Sequence, residues 1–166
     1  MPNNTRLLAK HPVSAVSLGC MSLSHGYGEK SSSKHSEKFL HQALDLGYTM
    51  LDTAAVYGHG HNESMIGQFI SQRRSEFFLA SKCGFGQQPD SQPSINGRPE
   101  YIKATCEASL KRLQTDHIDL YYLHRRDMNV PLEDSIGALA DLCQEGKIGA
   151  VGVSEISAAD LHKAHA

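Results

Sequence analysis

Four side chains in this 166-residue chain could work on one reacting group: Asp52, Tyr57, Lys82 and His124. They are a carboxylate, a phenol, an ammonium and an imidazole. A phenol is a poor acid at neutral pH, because its reference pKa is about 10. A nearby ammonium favours the phenolate and makes the proton easier to give up. A carboxylate paired with the lysine would fix the position of that ammonium. A neutral histidine can donate a hydrogen bond to a carbonyl oxygen. Such a set can protonate an oxygen while hydride reaches the adjoining carbon. No side chain supplies hydride, so the chemistry implies a nicotinamide cofactor.

These residues are far apart in sequence, so the fold must gather them. Each stands at or just past the end of a short apolar run. Tyr48 to Leu51 reads as a strand punctuated by Gly47 and ending on Asp52. A loop carries Tyr57 and the alternating Gly58, His59, Gly60 and His61. Asn62 is then placed to cap a helix, with Glu63 in its first turn and Met65, Ile66, Phe69 and Ile70 on one face. Glu76 to Lys82 reads as the next strand, and Ile118 to Leu123, followed by His124, as the one after. A first strand is expected within Ala15 to Leu23, interrupted by Gly19, and a fifth at Ile148 to Val153. Helical spacing is present over His35 to Leu46, Pro99 to Gln114 and Pro131 to Gly146. A last helix opens at Ser157. Residues 84–99 are a long loop dense in Gly, Pro, Gln and Ser, a length that is more often functional than decorative.

Strand and helix thus alternate along a single domain, residues 1–166, which predicts an α/β fold with a parallel sheet. The first strand is not followed by the G-x-G-x-x-G of a doubly wound dinucleotide fold. The expected fold is a parallel (β/α) barrel of the TIM type, incomplete, with about five of the eight units. In such a barrel all strand ends point to one mouth. Taken singly, each candidate has an ordinary reading. Asp52 could anchor a loop, Lys82 could reach to water, His124 could be a satisfied loop histidine, and Tyr57 a packing aromatic. At equivalent ends of adjacent strands they make a mouth with chemistry.

Composition narrows the partners. The net charge is −2, which gives no attraction to nucleic acid or an anionic membrane surface. No stretch is long and apolar enough to span a bilayer, and the start has no signal-peptide core. The four cysteines, Cys20, Cys83, Cys106 and Cys143, are scattered, as in reduced cytoplasmic proteins. Cys83 adjoins Lys82, a neighbour that could depress a thiol pKa. His59 and His61 have ligand-like spacing without an evident third ligand, so no metal site is expected. Arg125 and Arg126 read as loop charges, and Asp116 and Asp119 as anchors around the fourth strand.

The motifs LGCM (18–21), LDTAAVYGHGHNE (51–63), SK (81–82), SLKRLQTDHIDLYYLH (109–124) and GKIGAVGVSE (146–155) recur in order over nearly all of the chain. In these the chain resembles the aldo-keto reductase family, nearest its bacterial, fungal and plant branch close to pyridoxal reductases. The resemblance implies an α/β barrel that reduces aldehydes and ketones with NADPH, in some members NADH. It implies Tyr57 as general acid, Lys82 as the residue that activates it, Asp52 as the partner of Lys82, and His124 as the residue that orients the carbonyl. It places Gly19, Cys20 and Met21 beside the cofactor together with Asp52, and Ser154 and Glu155 at the nicotinamide carboxamide. Many members carry Asn where this chain has Glu155. Substrate walls would come from Tyr27, the 84–99 loop and the 125–129 loop. In the family a later part of the chain supplies the aromatic that stacks on the nicotinamide, the pyrophosphate loop and the grip on the 2′-phosphate. The resemblance therefore leaves a second reading: a catalytically inactive truncated fragment or interaction protein. Its open strand edges would favour self-association or a complementing C-terminal half.

Overall fold

The structure, a computed structural model, describes residues 5–8, 10–24, 32–87 and 93–165. Tyr27 lies outside the described residues. Five strands form one parallel sheet, side by side in the order in which they follow along the chain. They are β3 (Leu18–Gly19), β4 (Met50–Asp52), β5 (Phe78–Cys83), β8 (Leu120–Leu123) and β9 (Val151–Val153). Between and after them run α1 (Ser33–Asp45), α2 (His61–Ile70), α3 (Pro99–Leu113), α4 (Leu132–Gln144) and α5 (Ala158–His165). Each helix packs on the next in sequence. The strand order never reverses, whereas a doubly wound sheet reverses at its switch point. This is one side of a (β/α) barrel, as the strand–helix alternation predicts.

Side chains alternate across the sheet, as a strand's two-residue period requires. Leu51, Leu79, Tyr121 and Leu123 face the helices and form one core with Leu40, Ile66, Ile70, Ile102, Leu139 and Leu142. Met50, Phe78, Ala80 and Leu120 face the other way. The register then decides which face receives the candidate residues. Gly19 pairs with Asp52, Asp52 with Ala80, Lys82 with Tyr122, and Tyr122 with Gly152. Asp52 and Lys82 therefore share the inner face.

Two hairpins lie outside the predicted elements. The first, β1 (Thr5–Leu8) with β2 (His11–Ser14), precedes the predicted first strand. Its Val13 packs on Met50, Phe78 and Leu120. Ser14 and Thr49 exchange two hydrogen bonds, of 2.8 and 3.1 Å. The hairpin thus closes the inner face at the strands' N-terminal ends and leaves the opposite ends as the mouth. The second, β6 (Phe85–Gln87) with β7 (Pro93–Ile95), lies within the stretch expected to be loop.

Asn62 does not cap α2. Gly60 is the cap residue, and Asn62 is buried in the first turn. Its amide donates to the Cys20 carbonyl at 2.8 Å and to Ser24 Oγ at 2.6 Å, and its oxygen accepts from Thr53 Oγ1 at 2.7 Å. The residue ties the ends of β3 and β4 to the helix. Asp119 anchors the strands as expected: it accepts from Arg74 at 2.5 Å and from the Leu79 amide at 2.7 Å. No helix among the described residues is long and apolar enough to cross a membrane.

Candidate active site

Lys82 is the centre of the site. Its ammonium is ion-paired with Asp52 Oδ1, donates to the Thr53 carbonyl at 2.8 Å and reaches Tyr57 Oη at 3.4 Å. The same nitrogen lies 5.1 Å from the centre of the Tyr57 ring and 5.9 Å from that of Tyr122, within the range of cation–π attraction. Tyr57 meets the His124 ring edge to face, with centroids 6.0 Å apart. Phe85 approaches the same imidazole at 4.9 Å. The four residues read from the strand ends converge on one mouth. Lys82 is nearly buried and Asp52 only partly exposed, so their charges are poorly screened.

The loop that delivers Tyr57 has an unusual backbone. Gly58, His59 and Gly60 take φ of 58°, 55° and 85° in succession. Glycine adopts this left-handed region freely, but a residue with a Cβ costs roughly 1–2 kcal/mol there. A Cβ at Gly60 would also stand 2.8 Å from the Arg112 side chain. Arg112 is there because it reaches from α3 to Glu63, donating from Nε at 2.8 Å and standing 2.7 Å away through Nη2. Glu63 is fully buried and accepts from Ser81 at 2.5 Å. Ser81 precedes Lys82 on β5. A buried polar tie therefore runs from the tyrosine loop to the lysine strand. Reading the sequence placed Glu63 in a first turn but found neither of its partners. A buried carboxylate needs a cation, yet several basic residues could have answered.

At the other strand ends, Gly19 has open space where a Cβ would stand, and Met21 is partly exposed. Cys20 is fully engaged within the protein. Its amide donates to the Asp52 carbonyl at 2.8 Å, its carbonyl accepts from Asn62, and its thiol turns toward the Leu18 carbonyl at 3.6 Å. Burial, followed by the Asp52 charge, pushes that thiol up to about 12. Ser154 and Glu155 stand just past β9, both bonded to Arg125. Arg125 was read as a loop charge. Its guanidinium also lies 5.7 Å over the Phe85 ring, so it belongs to the mouth. Arg126 is ion-paired with Asp160.

Lys82 does not activate Cys83. Neighbouring strand residues point to opposite faces, so the thiol is in the helix-side core and burial pushes its pKa up. No group of three or more His, Cys, Asp and Glu stands where it could hold a metal among the described residues.

The model of the aldo/keto reductase family matches residues 15–166. The chain belongs to that family. It is 42% identical over 165 residues to aldo-keto reductase yakc [NADP(+)] of Schizosaccharomyces pombe, covering 98% of this chain and 48% of that protein. Among solved structures it superposes on aldo-keto reductase AKR11C1 of Bacillus halodurans, holo form, with a TM-score of 0.86 and 34% identity, over 96% of this chain and 52% of that one. It also matches an aldo/keto reductase from Klebsiella pneumoniae in complex with NADP and acetate, with a TM-score of 0.80 and 30% identity, over 98% and 53%. The chain spans about half the length of the curated relatives it matches. The aldo-keto reductases of known structure are TIM barrels, and these five strands with their helices are part of one.

The Ser154 hydroxyl can donate and the Glu155 carboxylate accept, the two roles a primary amide needs from its partners, and a Cβ at Gly19, which pairs with Asp52, would meet open space. His124 is held in its neutral form. Burial, then the charges of Lys82 and Arg125, lower its pKa from 6.5 to about 4. A proton that the unfolded chain binds and the folded chain refuses makes stability fall on acidification, from about 6.5 through about 4. We expect the urea midpoint to drop more between pH 7 and pH 5 for the unaltered chain than for His124→Gln. Equal drops would remove His124 from the account.

Proposed function

We propose that this chain carries the carbonyl-reducing site of an NADPH-dependent aldo-keto reductase, with Tyr57 as the general acid. The observation that supports it is the Lys82 ammonium, bonded at once to Asp52, to the Thr53 carbonyl and to the Tyr57 hydroxyl. A general acid works best where the charge it leaves behind is stabilised. As Tyr57 gives up its proton, the negative charge on Oη faces Lys82. Asp52 and the Thr53 carbonyl hold that ammonium in place. His124, neutral at pH 7, donates to the carbonyl oxygen and orients it toward the phenol. When bound, NADPH would supply hydride to the carbonyl carbon. Ser154 and Glu155 would hold its carboxamide, and Gly19, Met21 and Asp52, with Cys20 behind them, would be the residues beside the nicotinamide. The substrate is a small aldehyde or ketone, and the setting is the cytoplasm. The NADP(+) in the name of the fission yeast relative and the NADP in the Klebsiella structure favour NADPH over NADH.

A second reading has a specific observation behind it. β3 and β9 are the outer strands of the sheet, and Val151 on β9 and Leu161 on α5 are exposed. Edges of this kind invite a further strand, as in an inactive fragment that self-associates or takes up a complementing C-terminal half. Titrating the chain with NADPH by nicotinamide fluorescence, with mass measured by size exclusion, separates the two. Saturable binding with aldehyde-dependent oxidation of NADPH is the expected result. No binding at millimolar cofactor, whatever the mass, would sink the reductase reading for this chain and favour the second.

A further inference from the structure

We propose that Arg125 is a positioning residue that joins the Ser154–Glu155 pair to the wall beside His124 as one unit. The inference rests on the reductase reading, which assigns those residues to the nicotinamide and the carbonyl. The contacts of a single guanidinium support it. Nη1 donates to the His124 carbonyl at 2.7 Å and to Ser154 Oγ at 3.3 Å. Nη2 donates to Glu155 Oε1 at 2.8 Å. The guanidinium carbon lies 5.7 Å over the Phe85 ring, and that ring meets the His124 imidazole edge to face at 4.9 Å.

The backbone gives an independent reason. Glu155 takes a φ of 50°, a conformation that a residue with a Cβ keeps only where its surroundings hold it. Arg125 holds it by its carboxylate. The ion pair itself is largely open to solvent, with Glu155 at 69% exposure, so its Coulomb energy is mostly screened. Its use is geometric: a planar fork serves three oxygens and a ring face together, which a lysine ammonium does not.

The groups around His124 define the readout. Two cations act on it, Lys82 and Arg125, and two rings cover it, Tyr57 and Phe85. Asp52 is paired with Lys82 and Glu155 with Arg125. Removing Arg125 takes away one cation and the brace on Phe85, and both losses favour the imidazolium.

The test is an NMR titration of the imidazole in the full chain without cofactor. Arg125→Met is expected to raise the His124 midpoint by about one pH unit. Arg125→Lys, which keeps the charge but not the fork, should recover only part of the shift. Phe85→Leu should raise the midpoint with both cations in place. An unmoved midpoint in folded Arg125→Met would overturn the proposal. Should that variant fail to fold, Glu155→Gln replaces it. It is expected to shift the amide signals of Ser154 and His124 together, and unmoved signals would overturn the proposal equally. The titration needs no hydride transfer. A moved midpoint in a chain that never oxidises NADPH would keep the brace and discard the reductase reading. An unmoved midpoint in an active chain would do the reverse.

Discussion

Tyr57→Phe is expected to lower NADPH-dependent carbonyl reduction by about 10²- to 10⁴-fold, the range a positioned general acid supplies. The substitution removes one oxygen and little else. The phenyl ring keeps its edge contact with His124 and its place 5.1 Å from the Lys82 ammonium. That ammonium retains Asp52 and the Thr53 carbonyl. Nicotinamide binding should therefore stay near that of the unaltered chain, because Ser154, Glu155 and Gly19 are untouched. The expected signature is a fall in kcat at preserved cofactor affinity, which marks an interaction made only in the transition state. Lys82→Met would also lose turnover but is a poorer test, since it leaves Asp52 without its cation. Turnover retained in Tyr57→Phe would remove the acid assignment and shift suspicion to a water or to His124.

The gathering of Asp52, Tyr57, Lys82 and His124 was legible because a simple rule places them. In a parallel sheet with helical crossovers the polar residues at strand ends meet at one mouth. The two-residue period then puts Asp52 and Lys82 on the same face. The same period corrects the reading of Cys83. Sequence adjacency to Lys82 suggested an activated thiol, but adjacent strand residues face opposite ways, and this one lies among apolar side chains. Asn62 looked like a cap because its type and place fit one. Its capping role was displaced by three buried partners on other elements, and no local pattern reports those. The β1–β2 hairpin was missed because most of its residues are exposed and so carry little hydrophobic pattern, while Val13 packs under the sheet. Arg125 was read as a loop charge because its partners, Ser154 and Glu155, lie on the far side of α4.

Arg112→Met should cost about 3–5 kcal/mol of unfolding free energy, the penalty for breaking a buried ion pair by removing one partner. Glu63 is fully buried, and Arg112 is its only cation among the described residues. Methionine keeps much of the side chain's volume but neutralises nothing. Among the described residues the carboxylate would keep the Ser81 hydroxyl but stand buried without a cation. Adding Glu63→Gln should restore part of the loss, because the amide buries no charge. The non-additivity of the pair in urea unfolding measures the coupling. The contrast is Arg73, whose partners Asp45 and Glu76 are exposed; Glu76→Gln there should move the urea midpoint far less than Arg112→Met, because solvent screens that pair. A loss below about 1 kcal/mol in Arg112→Met would mean that the pair does not hold the fold in this way. The effect should also reach the mouth. Arg112 lies against Gly60, three residues past Tyr57, and Ser81 precedes Lys82 in the strand. The bond that stabilises the fold is thus also the bond that holds the Tyr57 loop against the strand carrying Lys82.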